Sequence, residues 1–166
     1  MNLNRRYYQK SELPQALREL NNRPVVIFDL ETNGLSNRNS VLSCTAFKFC
    51  VDGRATDTNK PQPTEHSLPF DFPASGPLKL VDHFERYYFP LEQENYNAIR
   101  INGLSTEVIK KKRGDREWPP YFSEDTEFID FLKDAGLFIA HNIDFDAQFV
   151  PFLYDKPLFC TMKSNS

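Results

Sequence analysis

The segment VVIFDLE, residues 25–31, constrains the fold more than any other part of this chain. It is a dense run of apolar and β-branched residues, which is typical of a strand buried on both faces of a sheet. Two further runs, at 41–51 and 80–89, have a similar strand-like character. Three such runs in succession predict a β-meander.

After the third run the pattern becomes helical, and a first helix is also predicted ahead of the meander. The remaining predicted elements are a helix at 11–20 capped by Ser11, a helix at 105–112, a helix at 124–134 capped by Ser123 and ended by Gly136, a strand at 137–141, a helix at 145–154 that Pro151 would kink, and a short strand or turn at 158–162. This order predicts an α/β fold in which helices flank a mixed sheet.

The composition bounds the class of protein. The chain has 166 residues, of which 40% are hydrophobic, and this suits one water-soluble globular domain. The sequence shows no apolar run long enough to cross a membrane and no signal-peptide-like start, so we expect a cytoplasmic protein. A net charge of −3 excludes a chain-wide basic field for long duplex DNA and favours contact with a few nucleotides at an end. Cys44, Cys50 and Cys160 show no CxxC spacing and are predicted to be reduced thiols.

A polar stretch at 52–79 separates the second strand-like run from the third. It contains five of the chain's twelve prolines. Because neither side of it completes a fold, we interpret it as an excursion within a single domain of residues 1–166.

Two carboxylates, Asp29 and Glu31, lie in the most apolar strand-like run. Side chains two residues apart on a strand point to the same face, where two carboxylates repel each other and resist burial. A hard divalent cation between them would explain the pair. The spacing alone leaves an alternative open, in which the strand ends at Leu30, Glu31 is solvated and Asp29 acts as a cap.

A second polar cluster, AHNIDFD at 140–146, follows the predicted strand at 137–141. The strand ends in His141 and Asn142, and a helix opens at the two aspartates. Acidic residues are favoured in the first turn of a helix, and we interpret Asp144 as such a capping residue. Asp146 could have either role.

Together these segments resemble the DnaQ-like (DEDD) family of 3′–5′ exonucleases. VVIFDLETNGL resembles the first exonuclease motif, FIAHNIDFDAQFV resembles the second, and AIRINGLSTEVI, residues 98–109, resembles the stretch between them, with Asn102-Gly103 where the family usually has His-Gly. The resemblance implies an RNase H-like fold. It also implies hydrolysis of single-stranded DNA (or RNA) 3′ ends to nucleoside 5′-monophosphates by two Mg²⁺ or Mn²⁺ ions, as in a DNA polymerase proofreading subunit.

By the same resemblance Asp29, Glu31 and Asp146 would be the catalytic metal ligands, with Asp29 bridging both ions. The positions that would contact the terminal nucleotide are Thr32, Gly34, Leu35, Asn142 and Phe145. For Leu35, ordinary packing remains an equal alternative. The resemblance also allows a polymerase or another protein as a partner.

The family has a third motif, which supplies a fourth Asp together with a His or a Tyr. This sequence stops soon after Asp146, so we expect a domain that is incomplete at its C-terminus and weakened as an enzyme. The spacings His66 to Asp71 and Tyr121 to Asp125 resemble the motif but precede the second one. A catalytically inactive module that binds nucleic acid or a protein partner is the alternative. An incomplete domain would also leave apolar surface near Val25, Ile27 and Phe138 partly uncovered.

Two features near the middle of the chain stay ambiguous. The basic run from Lys110 to Arg113 is either a solvated helix end or a phosphate contact. Trp118 and Tyr121 either pack in an ordered loop or stack on bases.

Overall fold

A computed structural model describes residues 6–51 and 78–164 and shows a six-stranded mixed sheet. The strands are β1 (Arg6–Tyr7), β2 (Val25–Thr32), β3 (Val41–Val51), β4 (Leu78–Tyr87), β5 (Leu137–Ala140) and β6 (Pro157–Cys160), in the spatial order β1-β6-β5-β2-β3-β4. Strands β2, β3 and β4 form an antiparallel meander, and β5, β6 and β1 continue the sheet in parallel. The predicted RNase H-like arrangement, a three-strand meander plus parallel strands, is confirmed.

Within the described residues, six short helices flank the sheet. They are α1 (Leu13–Arg18), α2 (Tyr96–Asn102), α3 (Thr106–Arg113), α4 (Thr126–Leu132), α5 (Ile143–Asp146) and α6 (Thr161–Ser164). Helix α2 was not predicted, because Ala98 is its only buried residue and no apolar face repeats along it. Its ends follow the usual rules: Asn95 caps the first turn, and Gly103 ends the helix at a φ of 73°.

Three predicted helix details are wrong. The N-cap residue of α1 is Glu12 rather than Ser11, and α4 is capped by the side chain of Asp125 rather than by Ser123. The predicted helix at 145–154 is two separate turns, α5 and a 3₁₀ turn at Pro151–Leu153. Since Pro151 has no N–H to donate, the helical ladder cannot continue through it.

Strand β2 is buried on one face along most of its length, whereas the sequence predicted burial on both. Val26, Phe28 and Leu30 point into the core, while Ile27 and Asp29 are exposed. Of the positions expected to be uncovered, only Ile27 is, at 37% exposure. Val25 packs with Leu20, Leu137 and Phe159, and Phe138 belongs to the main core.

The core between the sheet and α4 is rich in aromatic rings. Phe84 and Phe128 have ring centroids 5.2 Å apart, and Phe122 stands edge-on to Tyr88 at 5.3 Å. Cys44, Cys50 and Cys160 are buried and free, as predicted.

The described part of the chain contains no helix long and apolar enough to cross a membrane. Most of the 52–79 excursion, including His66 and Asp71, lies outside the described residues. The interpretation of this stretch as an excursion within one domain, and the His66–Asp71 spacing, therefore stay untested.

Candidate active site

Asp146 reaches strand β2 from helix α5. The parallel ladder between β2 and β5 runs to the pair Ile27–Ile139, and β5 ends one residue later. Beyond that point a carboxylate oxygen of Asp146, Oδ1, accepts the backbone N–H of Leu30 at 3.2 Å. The second predicted motif is thereby attached to the first between Asp29 and Glu31.

Asp29 and Glu31 share the open face of β2 with Ile27. Burial raises the pKa of Asp29, and the charge of His141 opposes this. Burial also raises the pKa of Glu31, with a further contribution from the charge of Asp29. Two half-desolvated carboxylates of like charge therefore stand side by side, as the DxE spacing predicted.

Asp146 is only 3% exposed. Burial, followed by the charge of Asp29, raises the pKa of Asp146 to about 7, although the hydrogen bond from Leu30 favours its charged form. A buried carboxylate with like-charged neighbours binds a proton, or any other cation, more readily than an ordinary surface aspartate.

His141 is a neighbour of Asp29 that received no role from the sequence. His141 directly follows β5, which is the strand next to β2. Its Nδ1 lies 3.1 Å from the hydroxyl oxygen of Thr161. Its position in the AHN segment, directly after the predicted strand, is the sequence feature that could have identified it.

Asn102 contacts the end of β2 from helix α2. Its side-chain amide donates to the carbonyl of Thr32 at 3.1 Å, and a hydrogen bond from Asn102 lowers the pKa of Glu31 against burial and the charge of Asp29, which raise it. The residue that stands where the family usually has histidine thus touches the predicted site directly. The resemblance over 98–109 could have identified it.

The loop after β2 is held in place by side chains for which the sequence predicted no role. Asn33 is 1% exposed, and its amide donates to Glu92 and to the carbonyl of Gln93 while its oxygen accepts the N–H of Asn95. Glu92 also accepts the N–H and the hydroxyl of Ser40. Burial opposes the charge of Glu92, but these hydrogen bonds outweigh it and lower the pKa of that carboxyl to about 2.

Gly34 serves this loop in a way that differs from the predicted close approach to a nucleotide. A Cβ there would lie 2.6 Å from Oδ1 of Asn39, the atom that accepts the N–H of Ser36. Thr32 closes the other side of the turn, because its hydroxyl donates to the carbonyl of Gly34 at 2.7 Å. Both residues therefore shape the loop, and their contact with a nucleotide stays a prediction.

The other predicted nucleotide contacts have three different environments. Leu35 is 89% exposed, so it does not pack in the core. Asn142 precedes α5 and gives its carbonyl, not its side chain, to the N–H groups of Phe145 and Asp146. Phe145 packs edge-on against Phe149 with centroids 5.3 Å apart. Their roles in binding stay predictions.

Two other acidic residues have structural partners. Asp144 lies in the first turn of α5, as predicted, although no side chain caps this helix. The carboxylate of Asp144 also contacts the hydroxyl of Tyr7 and the ammonium of Lys163. Asp125, of the Tyr121–Asp125 spacing, is buried and accepts hydrogen bonds from Arg86 and Tyr88.

The donor set suits a hard divalent cation, since it consists of carboxylate oxygens whose mutual repulsion such an ion would relieve. Within residues 6–51 and 78–164, however, no three His, Cys, Asp or Glu side chains are already grouped closely enough to hold one. Repulsion among Asp29, Glu31 and Asp146 disfavours such a grouping in the absence of a counter-charge. The carboxylates suit such an ion in their chemistry, while binding it requires their side chains to converge.

The amino-acid sequence is similar to part of much longer proteins. It is 26% identical over 140 residues to DNA polymerase III PolC-type of Staphylococcus haemolyticus, which covers 84% of this chain and 7% of the polymerase. The corresponding protein of Thermotoga maritima is 29% identical over 72 residues, 43% of this chain and 5% of its own length. The chain is thus partly homologous to PolC-type DNA polymerases. It spans less than a tenth of their length.

Among solved structures, Exonuclease X in complex with 5′ overhanging duplex DNA covers 84% of this chain and 60% of its own, with a TM-score of 0.49 and 16% identity. No protein-family model matches the sequence.

Proposed function

We propose that this chain is a 3′–5′ exonuclease that hydrolyses the 3′ ends of single-stranded DNA to nucleoside 5′-monophosphates, with Mg²⁺ or Mn²⁺ as cofactor. The observation that carries the proposal is the hydrogen bond from Leu30 to Asp146, since it joins the two motif segments at one place. The partial homology to DNA polymerases supports the same function. The 3′ ends of the DNA that a polymerase synthesises are natural substrates for such an activity.

In this proposal Asp29 and Glu31 hold the metal ions from β2, and Asp146 holds them from α5. Bound in a pair, such ions supply an activated water and a counter-charge for the leaving 3′ oxygen. Leu30 orients Asp146 through its N–H, and Asn102 orients the end of β2 at Thr32 and Glu31.

The terminal nucleotide would enter beside the exposed Leu35. Since that side chain is 89% exposed on a loop fixed through Asn33, it can contact a base without first leaving a packed position. Asn142 and Phe145 are close to Asp146 in the sequence, at the N-cap and within α5. In this proposal the loop and the helix both contact the terminal nucleotide.

A single-stranded oligonucleotide labelled at its 5′ end tests the proposal. With Mn²⁺ or Mg²⁺ we expect stepwise shortening from the 3′ end and release of nucleoside 5′-monophosphates. Asp146→Asn should remove this activity, while Asp130→Asn, the same change at an exposed position of α4, should retain it. Shortening that persists in Asp146→Asn, or that begins at the 5′ end, would show that the proposal is wrong.

A module that binds nucleic acid without hydrolysis is the second candidate. It is favoured by the finding that the described acidic side chains are not already grouped around an ion position. Titration calorimetry with Mn²⁺ separates the two. If the chain is an exonuclease, it binds Mn²⁺, and Asp29→Asn and Asp146→Asn each weaken this binding. If it is a binding module, it binds the oligonucleotide but not the metal.

A further inference from the structure

A groove of about 550 Å³ lies between helix α3 and the edge strand β4. We call it the basic groove. The residues of its walls that matter here are the basic Lys111, Lys112 and Arg116, the aromatic Tyr87 and Trp118, and the acidic Glu85.

The three basic side chains are exposed. Among the described residues, no ion pair joins Lys111, Lys112 or Arg116 to an acid. The one carboxylate in the groove, that of Glu85, accepts a hydrogen bond from the hydroxyl of Tyr87 at 2.7 Å. The groove therefore presents more positive than negative charge, on a chain whose net charge is −3.

Aromatic rings hold two of these cations along the wall. Nζ of Lys112 lies 5.0 Å from the ring centre of Tyr87, and the guanidinium of Arg116 lies 5.0 Å from that of Trp118. A cation–π contact positions a charge without neutralising it, so the charge stays available to a ligand.

The wall itself is anchored by Arg113. This residue is 7% exposed, and its guanidinium donates to the carbonyls of Tyr87, Trp118 and Pro119. The basic run thus contains two kinds of residue: Arg113 fixes the loop that carries Trp118, while Lys111 and Lys112 face solvent.

The open face of the sheet connects the carboxylates of β2 to the basic groove beside β4. Asp29 pairs with Thr45, and Thr45 pairs with Glu85, so the three side chains form a row on one face. Two strand spacings place the backbones of Asp29 and Glu85 about 10 Å apart. Asp29 and Glu85 are exposed and Thr45 is half-buried, which leaves the row accessible to a ligand.

We propose that the basic groove binds the sugar–phosphate backbone of the single strand whose 3′ end occupies the carboxylate site. This inference rests on the proposed function and adds the path of the substrate. Cations spaced along a groove among aromatic side chains are the combination that binds single-stranded nucleic acid with little regard to sequence. An acidic peptide would use the charges but has no need of the row that leads to Asp29.

Fluorescence anisotropy of a labelled oligothymidylate in EDTA tests the groove apart from catalysis, because no metal-dependent hydrolysis can occur. The variant carries Lys111→Gln, Lys112→Gln and Arg116→Gln. The matched control removes three exposed charges elsewhere, through Lys10→Gln, Lys110→Gln and Lys133→Gln. We expect the groove variant to bind more weakly and the slope of log K against log salt to shrink by about 2, since each phosphate contact on a single strand contributes about 0.7.

Metal-dependent hydrolysis of a dinucleotide, which is too short to reach the groove, should be equal in the groove variant and the parent chain. Equal affinities and salt slopes for the groove variant and the control would overturn the inference. The inference would also be overturned if polyglutamate displaced the oligonucleotide from the parent chain and bound the groove variant less well than the control. Failure of the proposed function has a different signature, namely dinucleotide hydrolysis that is absent or insensitive to Asp146→Asn.

Discussion

The carboxylate of Asp146 accepts the backbone N–H of Leu30 at 3.2 Å, although 116 positions separate the two residues. The bond takes the place of a β-ladder bond where β5 has ended. It holds a buried acid against the two carboxylates of β2, and the first two predictions follow from that position.

The stability of the metal-free protein should fall as the pH rises from about 4.5 to 8. Burial and the charge of Asp29 raise the pKa of Asp146 from 3.8 to about 7, so in that interval the folded protein holds a proton that the unfolded chain releases. This contribution is complete below about pH 4 and is lost as the pH passes 7, amounting to up to about 4 kcal/mol. Urea unfolding in EDTA at several pH values measures it. Asp146→Asn should flatten the dependence; equal slopes for the parent and this variant would contradict the assignment.

Divalent cations should stabilise the folded chain, most strongly above pH 7. Mn²⁺ at about 100 times its dissociation constant would add about 2.7 kcal/mol to the free energy of unfolding, because it binds the folded state alone. The effect should grow with pH as Asp146 loses its proton. Thermal unfolding with and without Mn²⁺ reports it, with Glu31→Gln as the weakened variant and Asp130→Asn as the control. Equal stabilisation of all three proteins would place the ion elsewhere.

Asp125 should be essential for stability rather than for hydrolysis. Its side chain is fully buried and accepts from Arg86, from the hydroxyl of Tyr88 and from the N–H of Glu127. Asp125→Asn should cost about 3 kcal/mol, since it breaks a buried pair and leaves donors without an acceptor. Glu127 pairs with the same arginine but is 67% exposed. Glu127→Gln should therefore lower the free energy of unfolding by less than about 1 kcal/mol. Chemical denaturation of both variants gives the comparison, and equal losses would refute it.

Arg113→Lys should destabilise the chain by about 2–4 kcal/mol in spite of the retained charge. The guanidinium of Arg113 serves three carbonyls at once, and an ammonium on a thinner stem cannot reach all of them in that geometry. Lys110→Gln, three residues earlier and exposed, should change stability by less than about 0.5 kcal/mol. Urea midpoints compare the two, and a tolerated Arg113→Lys would show that the three bonds contribute little.

The sequence predicted five of the six strands because they are long or continuously apolar, whereas β1, the two-residue strand Arg6–Tyr7, carries no such signal. The run at 41–51 is a strand with those same bounds, and the strand at 25–31 needs one more residue, Thr32. Ile27, Val25 and Phe138 were all expected to be uncovered, and only Ile27 is, since an apolar residue in an apolar run carries no sign of which face the helices cover. Helix α2 escaped for the opposite reason: it rests on end caps and a single buried alanine rather than on a repeating apolar face.

For the candidate site, the spacing of Asp29 and Glu31 indicated their shared face, because a strand has a period of two. The attachment of Asp146 to Leu30 depends on where β5 stops relative to β2, a register that local sequence does not specify. Asn33 and Glu92 were missed because their bonds connect segments 59 residues apart.

One consequence of the Glu92 hydrogen bonds concerns movement. That carboxylate receives Asn33 and Ser40, the two ends of the loop that carries Leu35, while Asn33 also binds the N–H of Asn95 just ahead of α2. The loop and the start of α2 are therefore joined by hydrogen bonds and should move as one unit. A displacement of α2 would then shift Leu35 with it.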